Sequence, residues 1–210
     1  MIEHDRKIIH SSNESDWRTP PACYAALCTE FHFGLDAAAD ETSALAQYWL
    51  GPGGLEPDAL VATEWSKYAT WPDESGALPV FLNPPFSRTK ARQWEGGEPL
   101  LNPYRIENWA RKCWEESQKG CTIVGLFPFA PQTDWYRYWV YGQQPIAGGG
   151  MTWRGHAAQQ ERRLPHRISF LRPDGSAAGN AGVNTAVIVW SPMRVVVGPW
   201  LPHSFYWSFR

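Results

Sequence analysis

The sequence has little cysteine and no long apolar run, and its charges nearly cancel. Four cysteines among 210 residues lie at spacings typical of neither a metal site nor a disulfide framework, so we expect structural, reduced cysteines. Because no segment has the composition of a signal peptide or the length of a membrane-spanning helix, we expect a soluble cytoplasmic protein that contacts no membrane. The formal net charge of −2 provides no general basic field, so contact with a nucleic acid would depend on a local patch.

Two kinds of pattern are also missing. There is no internal repeat and no Gly-x-Gly-x-x-Gly motif, which disfavours a site that cradles the phosphates of a dinucleotide. What the sequence has is 43% hydrophobic and 19% charged residues, typical of a globular protein, with thirteen tryptophans to supply large buried areas. We expect a flexible N-terminal segment over residues 1–16 and a single domain over residues 17–210.

Alternating strand and helix patterns predict an α/β fold. The elements predicted in the first half are a helix over 22–30 after two prolines, a strand ending at Asp36, an Ala-rich helix over 37–48 and a buried strand over 80–82. In the second half they are an amphipathic helix from Ile106 to its C-cap Gly120, a buried strand over 122–127, irregular chain over 142–163, and paired strands over 167–172 and 185–190. We therefore expect a mostly parallel sheet flanked by helices, with an antiparallel hairpin at its C-terminal end.

The most informative segment is Val80-Phe-Leu-Asn83-Pro84-Pro85-Phe86. Its first three residues favour a buried strand, and Asn83, which precedes a proline, is held in extended geometry. The two prolines have fixed φ and no N–H, so their carbonyls stay in place without competing donors. The segment thus presents an amide oxygen, a backbone carbonyl and an aromatic face at a strand's carboxyl end, where open α/β sheets bind ligands. That set suits an exocyclic amino group on a planar ring, although a plain turn closing a strand explains the same residues.

A carboxylate followed by small residues marks the end of an earlier predicted strand. The residues are Asp36-Ala37-Ala38-Ala39-Asp40, whose small side chains permit a ligand to approach the backbone closely. A helix N-terminus beside a carboxylate suits an amino-acid-like zwitterion, while a capped strand-to-helix turn is the simpler explanation.

Two further segments carry polar groups that suit a ligand. Asp58 precedes the motif strand and is able to accept a hydrogen bond from an adenine amino group, although a surface turn accounts for it equally well. In Trp17-x-Thr19-Pro20 the predicted helix start is able to contact a carboxylate, and a plain helix cap is the alternative.

The order of these motifs resembles that of the phage-type DNA N6-adenine methyltransferases, which have the Rossmann-like class I methyltransferase fold. The resemblance covers roughly residues 16–191, and its most specific motif is the Asn83 to Phe86 segment. It implies an S-adenosylmethionine-dependent enzyme that acts on double-stranded DNA without a metal, in a bacterial or phage-infected cytoplasm. It also implies catalytic roles for Asn83, Pro84, Pro85 and Phe86.

Roles in binding are implied for two other groups of residues. The cofactor would contact residues of the three upstream segments and of the motif, namely Trp17, Thr19, Pro20, Asp36, Ala37, Ala38, Asp40, Asp58 and Asn83. Ser87, Arg88 and Lys90 directly follow the motif and would bind substrate phosphates. The chain departs from the family pattern at Phe86, where tyrosine is usual, and over 41–48, where no clear strand leads to a ribose-binding acid.

In the implied mechanism, the target adenine leaves the base stack, packs on Phe86 and donates its two N6 hydrogens to the Asn83 side-chain oxygen and the Pro84 carbonyl. The same acceptors suit cytosine N4, an RNA base or a glutamine amide, so these substrates remain alternatives, as does a non-catalytic relative that keeps only the fold. Methylation of a ring carbon is disfavoured because no cysteine follows a proline.

Overall fold

A seven-stranded mixed sheet organises the part of the chain that the computed structural model describes, which comprises residues 17–69, 78–86, 105–154, 157–178, 184–192 and the backbone of 203–206. The predicted flexible segment 1–16 lies outside these residues. The strands of the main sheet are β1 (Leu35–Asp36), β2 (Tyr48–Trp49), β3 (Val80–Leu82), β4 (Ile123–Pro128), β7 (Gln160–Arg163), β8 (Thr185–Trp190) and β9 (His203–Tyr206). A separate two-stranded sheet pairs β5 (Gln143–Pro145) with β6 (Met151–Trp153).

The main sheet is mostly parallel, as predicted. Its order is β2-β1-β3-β4-β8-β7-β9, and the first four strands run parallel to one another. β8 is antiparallel to both of its neighbours, β4 and β7, whereas β7 and β9 are parallel. The protein is therefore a mixed α/β protein with few helices.

Apolar side chains on the central strands alternate between two faces, as the period of a strand requires. Phe81, Val124 and Val187 belong to one buried cluster, which α1 (Pro21–Cys28) covers. Val80 and Ile123 belong to the other, which is covered by α2 (Ile106–Gln118) and α3 (Asp134–Trp139). Helices on both faces make three layers, which confirms the predicted flanking arrangement.

A buried ionic network attaches the segment that precedes β3 to helix α2. Glu116 of α2 is fully buried and accepts a hydrogen bond from the Trp65 backbone N–H at 2.8 Å. It also pairs with Lys112 and Lys119 at 2.8 Å each, and Lys112 in turn donates to the Ala62 carbonyl. Every polar group in this network has a partner, the condition under which a buried charge is tolerated.

The Ala-rich helix predicted over 37–48 is wrong. Polar side chains capture the backbone N–H groups there: Asp40 accepts from Thr42 N at 2.8 Å, and Asp36 accepts from Leu45 N at 3.1 Å. Such local bonds compete with helical ones. The segment instead forms turns and ends in β2, a strand that the sequence analysis did not identify. Gly51 accommodates this return of the chain, because a Cβ there would lie 2.0 Å from the Ala39 carbonyl oxygen.

The antiparallel pair at the C-terminal end exists, but one of its predicted members is wrong. β8 pairs with β7 rather than with residues 167–172, and β7 lies in a segment predicted to be irregular. The sequence of β7 is Gln-Glu-Arg-Arg, which has no alternation of apolar and polar residues. Two contacts stabilise the strand: Arg162 forms a salt bridge with Glu30, and Glu161 accepts a hydrogen bond from the Tyr136 hydroxyl at 2.8 Å. Within residues 167–172, Leu171 forms isolated bridges with Arg18 and Ala177 instead.

No helix of the described residues is both long enough and apolar enough to cross a membrane. All four cysteines are free thiols, and three of them are buried. Burial raises the pKa of the Cys23 and Cys121 thiols to about 12, so both stay protonated and pack as small apolar groups.

Candidate active site

A cavity of about 130 Å³ lies at the carboxyl ends of β1 and β3. The two strands are parallel neighbours in the register Leu35 to Val80, so Asp36 at the end of β1 and Asn83 directly after β3 reach the same edge of the sheet. This edge is where open α/β sheets bind ligands. Ten of the described residues line the cavity: Trp17, Arg18, Thr19, Asp36, Ala38, Ser43, Leu45, Phe81, Asn83 and Pro85.

The Asn83 side chain is held in one orientation. Its Nδ2 donates a hydrogen bond to the Trp17 carbonyl oxygen at 2.9 Å. Because the amide nitrogen is fixed on that carbonyl, the amide oxygen points to the opposite side as an acceptor. Pro84 is buried and Pro85 lines the cavity, so the motif forms a firm rim.

Asp36 is a buried acid held by backbone groups. Its side chain belongs to a residue only 3% exposed, and it accepts hydrogen bonds from Leu45 N at 3.1 Å and Ala38 N at 3.4 Å. None of the ion pairs among the described residues involves it. Burial raises the pKa of this carboxyl to about 7, because desolvation outweighs the lowering effect of the two backbone bonds. The group therefore titrates near neutral pH in the free protein.

An aromatic cluster adjoins the cavity. Phe86 contacts Trp17 edge-on, with ring centroids 6.2 Å apart, and Phe170 edge-on at 5.9 Å. Trp17 stacks on Phe170 at 5.8 Å. These contacts position Phe86 beside Asn83 and orient its ring.

The segment Trp17 to Thr19 forms one wall of the cavity. Arg18 N donates to Leu171 O at 2.8 Å, and Leu171 N donates to Arg18 O at 2.9 Å, so this wall is joined to chain far away in sequence. Thr19 is buried against the cavity, and Pro20 is the N-cap of α1.

Of the residues predicted to bind the cofactor, the cavity brings together Trp17, Thr19, Asp36, Ala38 and Asn83. Four others do not line it: Pro20, Ala37, Asp40 and Asp58.

The two carboxylates in this second group are engaged elsewhere. Asp40 accepts from the backbone N–H and hydroxyl of Thr42 and from the Ser43 hydroxyl, and the Thr42 hydroxyl bond is the main cause of its lowered pKa. Asp58 accepts from Leu60 N at 2.9 Å within a turn. Ser87, Arg88 and Lys90 lie outside the described residues.

Four of the residues that line the cavity were not predicted from the sequence, namely Arg18, Ser43, Leu45 and Phe81. Arg18 occupies the middle position of Trp17-x-Thr19, to which no role was assigned from the sequence. Ser43 and Leu45 were hidden by the incorrect helix prediction. Among the described residues, no group of three or more His, Cys, Asp or Glu is placed to hold a metal ion.

Searches of curated proteins and of solved structures gave no match. A family model described as DNA N-6-adenine-methyltransferase (Dam) matches residues 7–195, which span most of the chain and every residue of the cavity. This match favours adenine over the other amino-group substrates considered above. The chain therefore belongs to the Dam family and is an adenine-specific DNA methyltransferase.

Proposed function

We propose that the protein transfers a methyl group from S-adenosylmethionine to the N6 atom of an adenine flipped out of double-stranded DNA, using a class I methyltransferase fold. The observation that carries this proposal is the fixed Asn83 amide, which presents an oxygen acceptor at the same sheet edge as the buried Asp36 carboxylate. The Asn83 oxygen suits the target amine, and the Asp36 carboxylate suits a cationic cofactor.

The residues at the cavity fit the amino-acid end of S-adenosylmethionine. Asp36 is a buried acid with backbone donors and no ion pair among the described residues, so it suits an ammonium group. Ala38 beside it has too small a side chain to block close approach to the backbone. When bound, S-adenosylmethionine supplies an electrophilic methyl group on a sulfonium.

Asn83 and Pro84 orient the nitrogen that receives the methyl group. The Asn83 side-chain oxygen and the Pro84 carbonyl accept the two N6 hydrogens of adenine, which directs the nitrogen lone pair away from both acceptors. As the nitrogen becomes positively charged, these oxygens stabilise it, and they need no reorientation because Trp17 and the prolines fix them beforehand. The proton leaves after attack, so no strong general base is required.

Phe86 provides the aromatic surface for the flipped base. Its ring makes T-shaped contacts with Trp17 and Phe170, so it is oriented before a base arrives. Stacking of a base on an aromatic side chain is worth about 1–3 kcal/mol, which offsets part of the cost of unstacking.

The direct test is to incubate the protein with methyl-labelled S-adenosylmethionine and unmethylated double-stranded DNA and then to analyse the nucleosides. We expect N6-methyladenine from duplex DNA, and we expect Asn83→Ala to form it at a rate reduced about 10²–10³-fold, as for loss of one preorganised polar group. A matched single-stranded oligonucleotide tests the duplex requirement. Label confined to single strands would refute duplex DNA as the substrate, and failure to bind the cofactor would refute the donor.

A further inference from the structure

Arg18 lies in the wall of the cavity, and its side chain reaches the turn that contains Thr42. Its backbone is bonded in both directions to Leu171, so its Cα is firmly placed. Its guanidinium donates to the Thr42 carbonyl at 3.0 Å and to the Thr42 hydroxyl at 2.8 Å. Arg18 is also among the residues that line the cavity with Asp36.

The Arg18 guanidinium is incompletely satisfied. Its Nε is buried and has no hydrogen-bond partner. Both of its acceptors on Thr42 are uncharged, and none of the ion pairs formed by the described residues involves Arg18. A buried donor without a partner is costly, and the positive charge of this guanidinium has no anionic partner among the described residues. These features indicate an anionic ligand.

The start of α1, which on sequence alone is either a carboxylate contact or a plain helix cap, has few donors to offer. Pro20 and Pro21 have no N–H, and the Cys23 N–H is already bonded to the Pro20 carbonyl at 2.9 Å. Ala22 keeps an N–H, but this residue is exposed and does not line the cavity. An anion in the cavity therefore finds a better partner in Arg18 than in the helix.

We propose that Arg18 binds the carboxylate of the cofactor's amino-acid end, while Asp36 binds its ammonium group. The proposal rests on the proposed use of S-adenosylmethionine. It explains why a buried acid and an arginine line one cavity without pairing with each other: each is left for one charge of a zwitterion. Arginine suits this task because its planar fork stays charged and binds a carboxylate directionally.

Calorimetric titration with two nucleosides tests the proposal without turnover. S-adenosylhomocysteine carries the amino-acid end, whereas 5′-methylthioadenosine lacks it. We expect Arg18→Gln to weaken binding of S-adenosylhomocysteine about 10- to 100-fold, the range for a hydrogen bond to a charged group, and to leave binding of 5′-methylthioadenosine within about twofold. Arg111→Gln, which removes an exposed arginine of α2, is the matched control for net charge and should change neither affinity.

The possible outcomes distinguish an error in the proposed cofactor from an error in the role assigned to Arg18. If wild-type protein binds neither nucleoside, the proposed cofactor is wrong and Arg18 has no such ligand. If Arg18→Gln binds S-adenosylhomocysteine as tightly as wild type, the assignment of Arg18 is overturned. Equal weakening of both nucleosides would also overturn it, because Arg18 would then act by holding the Thr42 turn in place.

Discussion

Replacing Asp36 with asparagine should remove a large pH dependence from the stability of the free protein. The side chains have the same shape, and both offer an oxygen to the backbone donors of Ala38 and Leu45. The substitution removes the titratable group and replaces one of its two acceptor oxygens with an amide nitrogen. One of these N–H groups then faces an amide nitrogen, which adds a cost that does not vary with pH.

The magnitude follows from the pKa of Asp36, which burial raises from its ordinary value of 3.8 to about 7. Well below pH 3.8 the carboxyl is protonated in both the folded and the unfolded state and has no effect on the pH dependence of stability. As the pH rises, the unfolded chain ionises while the folded protein does not, so the free energy of unfolding falls until the pH passes about 7. An increase of roughly three in the pKa corresponds to a total loss of about 4 kcal/mol in the free energy of unfolding as the pH rises. About 2.5 kcal/mol of this loss occurs between pH 5 and pH 8.

The assay is urea unfolding of both proteins at pH 5 and pH 8, without cofactor. Subtracting the two proteins cancels titrations that they share, such as that of Glu30, whose pKa the hydrogen bond from Arg162 lowers. We expect the stability of wild type relative to Asp36→Asn to decrease by about 2.5 kcal/mol from pH 5 to pH 8. A difference that stays constant within about 0.5 kcal/mol would show that Asp36 has an ordinary pKa, and would refute the argument from its burial.

Three other predictions concern the motif, the stacking ring and the core. Asn83→Ala should lower kcat about 10²–10³-fold while the affinity for S-adenosylhomocysteine, measured by calorimetry, changes less than tenfold; wild-type turnover would overturn the assignment. Phe86→Ala should lower kcat/KM for DNA by roughly 5- to 150-fold, corresponding to about 1–3 kcal/mol, and Phe86→Tyr should stay near wild type, so equal losses would argue against stacking. Glu116→Gln should reduce the free energy of unfolding by about 3–5 kcal/mol in urea titrations, because it leaves Lys112 buried without a carboxylate. Its control is Glu115→Gln, an exposed position on the same helix where a loss above about 1 kcal/mol would be unexpected.

The central strands and the longest helix were predictable because their patterns carry the hydrophobic signal directly. β3, β4 and β8 are apolar runs that are almost entirely buried, and α2 has apolar residues at helical spacing. β7 was not predictable in this way, since its Glu161 and Arg162 are buried by pairing with Tyr136 and Glu30, which are distant in sequence. The helix predicted over 37–48 was wrong because alanine propensity was outweighed by side-chain bonds to the backbone.

The candidate site was predictable where the residues adjoin strand ends. Asp36 and Asn83 follow apolar runs, and two parallel strands necessarily bring their carboxyl ends to one edge. Asp40 and Asp58 could not be judged from sequence, because whether a carboxylate faces a ligand or bonds to its own turn depends on local geometry. Arg18 was missed for a related reason: its neighbours across the cavity come from turns whose path the sequence does not reveal.

The bond between Arg18 and Leu171 has a consequence for how the enzyme is made. Asp36 ends β1 and Asn83 directly follows β3, and both strands lie far ahead of residue 171 in the chain. The wall at Trp17 and Arg18, however, is joined to Leu171, and Phe170 packs on Trp17. Contacts between such distant positions form slowly, because a long loop must close first. A ribosome-bound chain that has not yet exposed residue 171 therefore carries the segment Asn83 to Phe86 but lacks the finished cavity wall, so the cavity is completed only after Leu171 has left the ribosome.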